Sequence, residues 1–147
     1  MLAVFALGGL GGYAAGRASE RTPPARSAYR AETAAPDPDR TEFLASYARA
    51  EQAGELWTRD PIAVGLRSAG YPNPDNLDPD QVRAWYPTPG QATIVVLAEG
   101  LGDDSVAARE RRIDLEREGG GWRIIWSGSR FRCVRDLTLG WTADLCS

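Results

Sequence analysis

The sequence contains no histidine and no lysine, so all 17 of its basic residues are arginine. The missing histidine removes the usual general base, the Ser/His/Asp and Cys/His nucleophile systems and histidine-ligated metals; the missing lysine removes Schiff-base chemistry. Only two cysteines are present, and without a further soft ligand or histidine they cannot complete a zinc site. Basic excess is lacking too: the net charge is −3, whereas a nucleic-acid partner needs a cationic field over a face, so no nucleic acid is expected. No cofactor is implied. At 147 residues the chain has room for one core of ordinary size.

A long apolar run is also missing, because the uncharged stretch over residues 1–15 (MLAVFALGGLGGYAA) is shorter than the roughly 20 residues that span a bilayer. Residues 1–16 therefore read as a membrane anchor or a cleaved signal segment. Gly8, Gly12 and Gly16 recur at every fourth position, the small-xxx-small face through which helices pack closely in lipid, while Ala14-Ala15-Gly16 suits a signal peptidase. Arg17, Arg21, Arg26 and Arg30 follow this stretch, and on the positive-inside rule they would hold what comes next in the cytoplasm. The two cysteines argue for the outside of the membrane. A start codon placed slightly late, with a basic segment lost ahead of Met1, reconciles the two and is the preferred expectation.

Residues 17–38 are rich in Pro, Ala, Arg, Thr and Glu and are expected to be a disordered linker. A single α+β domain is expected over residues 39–147. Asp39 or Thr41 with Glu42 suggests a helix start, and Phe43, Leu44, Tyr47 and Ala48 an apolar stripe ending before Gly54. Asp60-Pro61 signals a second helix with Ile62, Ala63, Leu66 and Ala69 on its face and Gly70 past its end. The following YPNPDNLDPDQ offers Asn73, Asp75, Asp78 and Asp80 as oxygen ligands, but it lacks the EF-hand spacing and closing glutamate and reads as a turn-rich loop.

From residue 82 onward the pattern is that of strands. Residues 82–86, Gln91–Glu99, Val106–Glu118 and a last run ending at Cys133 predict an antiparallel meander of about four strands, with Gly119-Gly120-Gly121 closing a hairpin. The third run is heavily charged, with only Ile113 and Leu115 expected inward, whereas Trp122, Ile124 and Trp126 are expected to share one core-facing side of the last strand. The expected fold is thus one or two N-terminal helices packed on a curved antiparallel sheet.

No catalytic constellation stands out. Asp103 and Asp104 are neighbours in a turn, Ser127-Gly128-Ser129 is no nucleophile elbow, and the glycine triplet precedes a strand without a following Lys-Ser/Thr. Arg123, Arg130, Arg132 and Arg135 form a basic cluster that can receive an anionic partner, although pairing with Asp114, Glu116 and Glu118 across the hairpin is the simpler expectation. Cys133 and Cys146 are expected to form a disulfide that pins the C-terminal tail.

At LGDDSVAARERRIDLEREGGGWRIIWSGSRFRC, and again at WTADLC, the chain resembles a loose group of uncharacterised bacterial proteins that are membrane-anchored or exported. The resemblance covers about the last ninety residues and implies no activity. The expected architecture is similar to the cystatin-like and NTF2-like α+β folds, whose members bind proteins or enclose small ligands. Two functions are weighed. One is a non-enzymatic interaction domain at the bacterial cell membrane, facing outside the cytoplasm, its anchor packing against a membrane or envelope protein. The other is a pocket between helices and sheet lined by Trp57, Trp85, Trp122 and Trp126.

Overall fold

A computed structural model of the chain describes residues 22–32, 38–72, 78–102, 104–135 and 140–147. The anchor expected at residues 1–16 with Gly8, Gly12 and Gly16, the loop oxygen ligands Asn73 and Asp75, Asp103, and the tail residues Leu137 and Leu139 lie outside the described residues. Among those described, no helix is long and apolar enough to cross a membrane.

Among the described residues the fold is α+β, with two α-helices and one open antiparallel sheet of five strands. Four strands make the expected meander: β2 (Gln81–Trp85), β3 (Gln91–Glu99), β4 (Val106–Glu118) and β5 (Gly121–Cys133). A fifth, β1 (Arg30–Ala31), pairs with β5 at Ser129 and Gly128, and the spatial order is β1-β5-β4-β3-β2. Gly119 adopts φ +59°, the left-handed conformation that the tight β4–β5 turn requires and that glycine takes without strain.

Strand β1 corrects the expectation of a disordered linker over residues 17–38. Within residues 22–32 the chain forms a short 3-10 turn at Arg26–Ala28, adds β1, and continues with Glu32 donating its backbone N–H to the Ser127 carbonyl. Tyr29 is buried, and Arg26 and Glu32 ion-pair with Asp114 and Arg111. Composition could not reveal this order, because each partner lies some eighty residues away in the chain.

Helix α1 (Pro38–Gln52) starts ahead of the expected caps, so Thr41 and Glu42 lie within it. Its inward stripe is Phe43, Tyr47 and Ala50, spaced i, i+4, i+7; Leu44 and Ala48, expected inward, are exposed. Helix α2 (Pro61–Ser68) begins as expected, with the Asp60 carboxylate accepting from the Ile62 N–H at 2.9 Å and Pro61 in the first turn. Its buried face adds Val64 and Gly65 to Leu66 and Ala69. A Cβ on Gly65 would stand 2.9 Å from the Ile94 Cβ, so the missing side chain is what lets α2 lie directly on β3.

The core fills the space between helices and sheet. Val64, Leu66 and Ala69 meet Val82, Ala92, Ile94, Val96, Ile113, Leu115 and Trp122, with Phe43, Tyr47, Trp57 and Ile124 packed around them. Trp126 is not part of this face. Leu115 pairs with Ile124 but its neighbour Asp114 pairs with Trp126, so Ile125 is an extra residue on β5. Such a bulge reverses the inside/outside alternation beyond it, which sends Trp126 to the far side of the sheet and leaves Ile125 exposed.

Candidate binding site on the far face of the sheet

Period-two alternation places Gln81, Arg83 and Trp85 of β2, Thr93, Val95, Leu97 and Glu99 of β3, Glu110, Arg112 and Asp114 of β4, and Trp126, Arg130 and Arg132 of β5 on the side away from the helices. Two acids on this face are almost fully buried: Glu110 is 2% exposed and Asp114 4%. Charged side chains are seldom buried unless paired, and both are paired richly.

Glu110 accepts from the Tyr29 hydroxyl at 2.6 Å, from Arg83 Nη2 at 2.7 Å, and from Arg130 Nε at 2.9 Å and Nη2 at 2.8 Å. Burial and the hydrogen bond to Glu110 push the Tyr29 hydroxyl pKa well above its ordinary value, so Tyr29 stays a donor. With donors on both oxygens Glu110 is an anchor that joins the N-terminal segment, β2, β4 and β5. Asp114 accepts from Thr93, Arg112 and Arg26 at 2.8, 2.9 and 2.6 Å. Arg26 and Arg112 also lie 5.3 and 5.9 Å from the Trp126 ring centroid, which gives the displaced tryptophan a cationic setting. On the helix side, Glu32 closes a similar set with Arg111, Ser127 and Ser129.

These pairings set an acid limit to stability. Burial alone would raise the carboxyl pKa of Asp114, and hydrogen bonds from Arg112, Arg26 and Thr93 outweigh it, so the net shift is downward from 3.8; Glu32 is likewise shifted down from 4.5, with the Arg111, Ser129 and Ser127 bonds outweighing burial. In both cases the unfolded chain binds protons first. The stabilisation is therefore complete above the ordinary carboxylate values and is lost as pH falls through them and on through the lower folded values. We expect the urea midpoint to fall steadily below about pH 4.5, and the fall to be shallower in Asp114→Asn; a parent midpoint that stays flat to about pH 3 contradicts it.

Beside the Glu110 cluster an open groove of about 980 Å³ runs over the sheet. Residues 22–25, with Pro23 and Pro24, line it together with Arg83, Leu97, Glu99, Glu110, Arg130, Arg132 and Trp141 from the C-terminal tail. The tail is held where the sequence led one to expect. Cys133 and Cys146 are bridged, with Cα atoms 5.4 Å apart, and Phe131 and Thr142 exchange two backbone hydrogen bonds of 2.7 and 2.8 Å. The Arg130 and Arg132 guanidiniums lie 4.9 and 5.5 Å from the Trp141 ring centroid.

The arginines singled out from the sequence thus divide. Arg130 and Arg132 come together in the groove, whereas Arg123 stands at the hairpin end of β5, paired with Glu118 at 3.0 Å and Glu116 at 3.7 Å, the cross-strand pairing anticipated for it. Arg130 takes Glu110 rather than Asp114, and Arg135 is exposed after β5. The four tryptophans do not line one cavity: Trp57 and Trp122 belong to the helix side, Trp85 and Trp126 to the far face, because of the β5 bulge and strand alternation. The Trp122 ring also borders a smaller cleft of about 430 Å³ with Tyr86, Pro87, Pro89 and Arg117. Sequence reasoning missed Tyr29, Arg83, Glu110 and Trp141. The one signal available was the alternation of Glu110, Arg112 and Asp114 along β4, which in the sequence shows only as heavy charge on a strand. Among the described residues no cluster of histidine, cysteine or acidic side chains is arranged to hold a metal ion. The chain matches no known protein family, no curated protein and no solved structure.

Proposed function

We propose that the chain is a non-enzymatic interaction domain that works at the outer face of a bacterial membrane, tethered by residues 1–16, and that it docks a partner protein in the groove beside Glu110. The observation that carries this reading is the groove itself: an open, concave strip of side chains held rigid from below by the Glu110 cluster and at its rim by the tail loop. Rigid, pre-paired walls lose little side-chain entropy on binding, which favours recognition. A disulfide fits an oxidising compartment, in keeping with the extracytoplasmic placement. Helices on one side of a sheet and an open far face also suit the cystatin-like and NTF2-like resemblance, as folds that bind proteins or small ligands. The alternative reading, a ligand enclosed between helices and sheet, has less support, since that space is occupied by Val64, Leu66, Ile94, Ile113 and Leu115.

Site-specific photo-crosslinking in bacterial membranes tests it. A photoreactive residue at Thr22, on the groove wall, should give one discrete protein adduct with the full-length chain, and the same residue at Leu44, on the exposed side of α1, should give none. Adducts at Leu44 but not at Thr22 would place docking elsewhere and reject the reading.

A further inference from the structure

We propose that the groove contains an anion subsite at Arg132, which takes a carboxylate of an acidic peptide segment while an adjoining apolar side chain lies against the apolar lining of Trp141, Pro23 and Pro24. The proposal rests on the docking reading above and names its chemistry. In the groove lining, the three guanidiniums of Arg83, Arg130 and Arg132 face two carboxylates, Glu99 and Glu110, which leaves one positive charge in excess on a chain whose net charge is −3. The three arginines are not equivalent. Arg83 and Arg130 are fixed to buried Glu110, and their side chains are only 16% and 13% exposed. The Arg132 side chain is 38% exposed and its Nη2 reaches Glu99 at 2.8 Å, while its Nε is buried beneath that exposed end.

Glu99 is itself 48% exposed, and an exposed ion pair of this kind contributes little to stability, so a second carboxylate can displace it at small cost. A guanidinium presents paired Nη donors to a carboxylate, and Glu99 is bonded through Nη2. Trp141, packed against both Arg130 and Arg132, supplies a flat apolar surface next to that charge, and Pro23 and Pro24 add apolar surface to the same lining. An isolated anion uses only the first of these features. A peptide with alternating acidic and apolar side chains uses both, and an open groove of about 980 Å³ has room for several of its residues.

The test uses the full-length oxidised protein and a short fluorescein-labelled peptide alternating glutamate with leucine, with a glutamine-for-glutamate peptide and inorganic phosphate as comparisons. Anisotropy should show binding of the acidic peptide that weakens with salt, at least about tenfold weaker binding of the glutamine peptide, and no competition by phosphate at similar concentration. Arg132→Gln should weaken binding about tenfold or more, with thermal melts confirming that the variant is folded. Glu99→Gln should tighten binding, because it removes the carboxylate that occupies Arg132, whereas Glu116→Gln, which removes the same charge beside Arg123, should change it by less than about twofold. Equal binding by parent, Arg132→Gln and Glu99→Gln overturns the subsite, as does full competition by phosphate. If the acidic peptide fails to bind while the Thr22 crosslink persists, the subsite falls and the docking face stands; loss of both removes both.

Discussion

Replacing Glu110 by alanine should destabilise the protein by about 3 to 5 kcal/mol, the cost typical of breaking a buried ion pair from one side. The size follows from what stays behind. Arg83 and Arg130 keep their charges with side chains largely out of water, the Tyr29 hydroxyl loses its acceptor, and the segment carrying Arg26, Tyr29 and β1 loses a principal tie to the sheet. For a chain of this length that corresponds to a fall in Tm of roughly 10 °C or more. Glu110→Gln keeps one acceptor and should lose less. Glu116→Gln, whose side chain is 48% exposed in its pair with Arg123, should stay within about 0.5 kcal/mol of the parent. Thermal and urea unfolding of the three variants measures this; Glu110→Ala melting with the parent would show that the cluster is dispensable.

Trp122→Ala should cost a similar amount, about 3 to 5 kcal/mol, for a different reason. The indole is 8% exposed and packs in the main core, its Nε1 donates to the Arg59 carbonyl at 3.1 Å, and its backbone N–H donates to the Tyr47 hydroxyl at 3.0 Å. Truncation leaves a cavity where α1, the turn at Leu56–Arg59 and β5 meet, and orphans a carbonyl. Because this side chain belongs to the helix side, the loss should appear as a lower urea midpoint, with peptide binding at the far-face groove retained wherever the protein remains folded. A variant that unfolds like the parent but loses binding would reverse that assignment.

The two variants probe the two faces of one sheet, and the faces were unequally legible. The helix side could be read from the chain because its signals are local. Asp60-Pro61 and Gly70 bound α2, Ile94 and Val96 alternate along β3, and Ile113 and Leu115 alternate along β4. The far face is charged, and a charged strand looks the same in sequence whether it faces water or another set of charges. Glu110 became a buried anchor only because Tyr29, Arg83 and Arg130 arrive from three other elements, 81, 27 and 20 residues away in the chain.

What the sequence by itself determined is the class of the fold, the α2 boundaries, the four-stranded meander, the Cys133–Cys146 pair and the exclusion of histidine and lysine chemistry, since composition, capping and short-range periodicity settle each of these. Tertiary structure decided the rest. It ordered residues 22–32 and made Arg30–Ala31 a fifth strand, moved Trp126 across the sheet through one extra residue at Ile125, and assembled the groove from the N-terminal segment, four strands and the tail. The physical reason is common to all three: a buried charge or a displaced ring is stabilised only by partners that arrive from distant parts of the chain, and no window of sequence contains them.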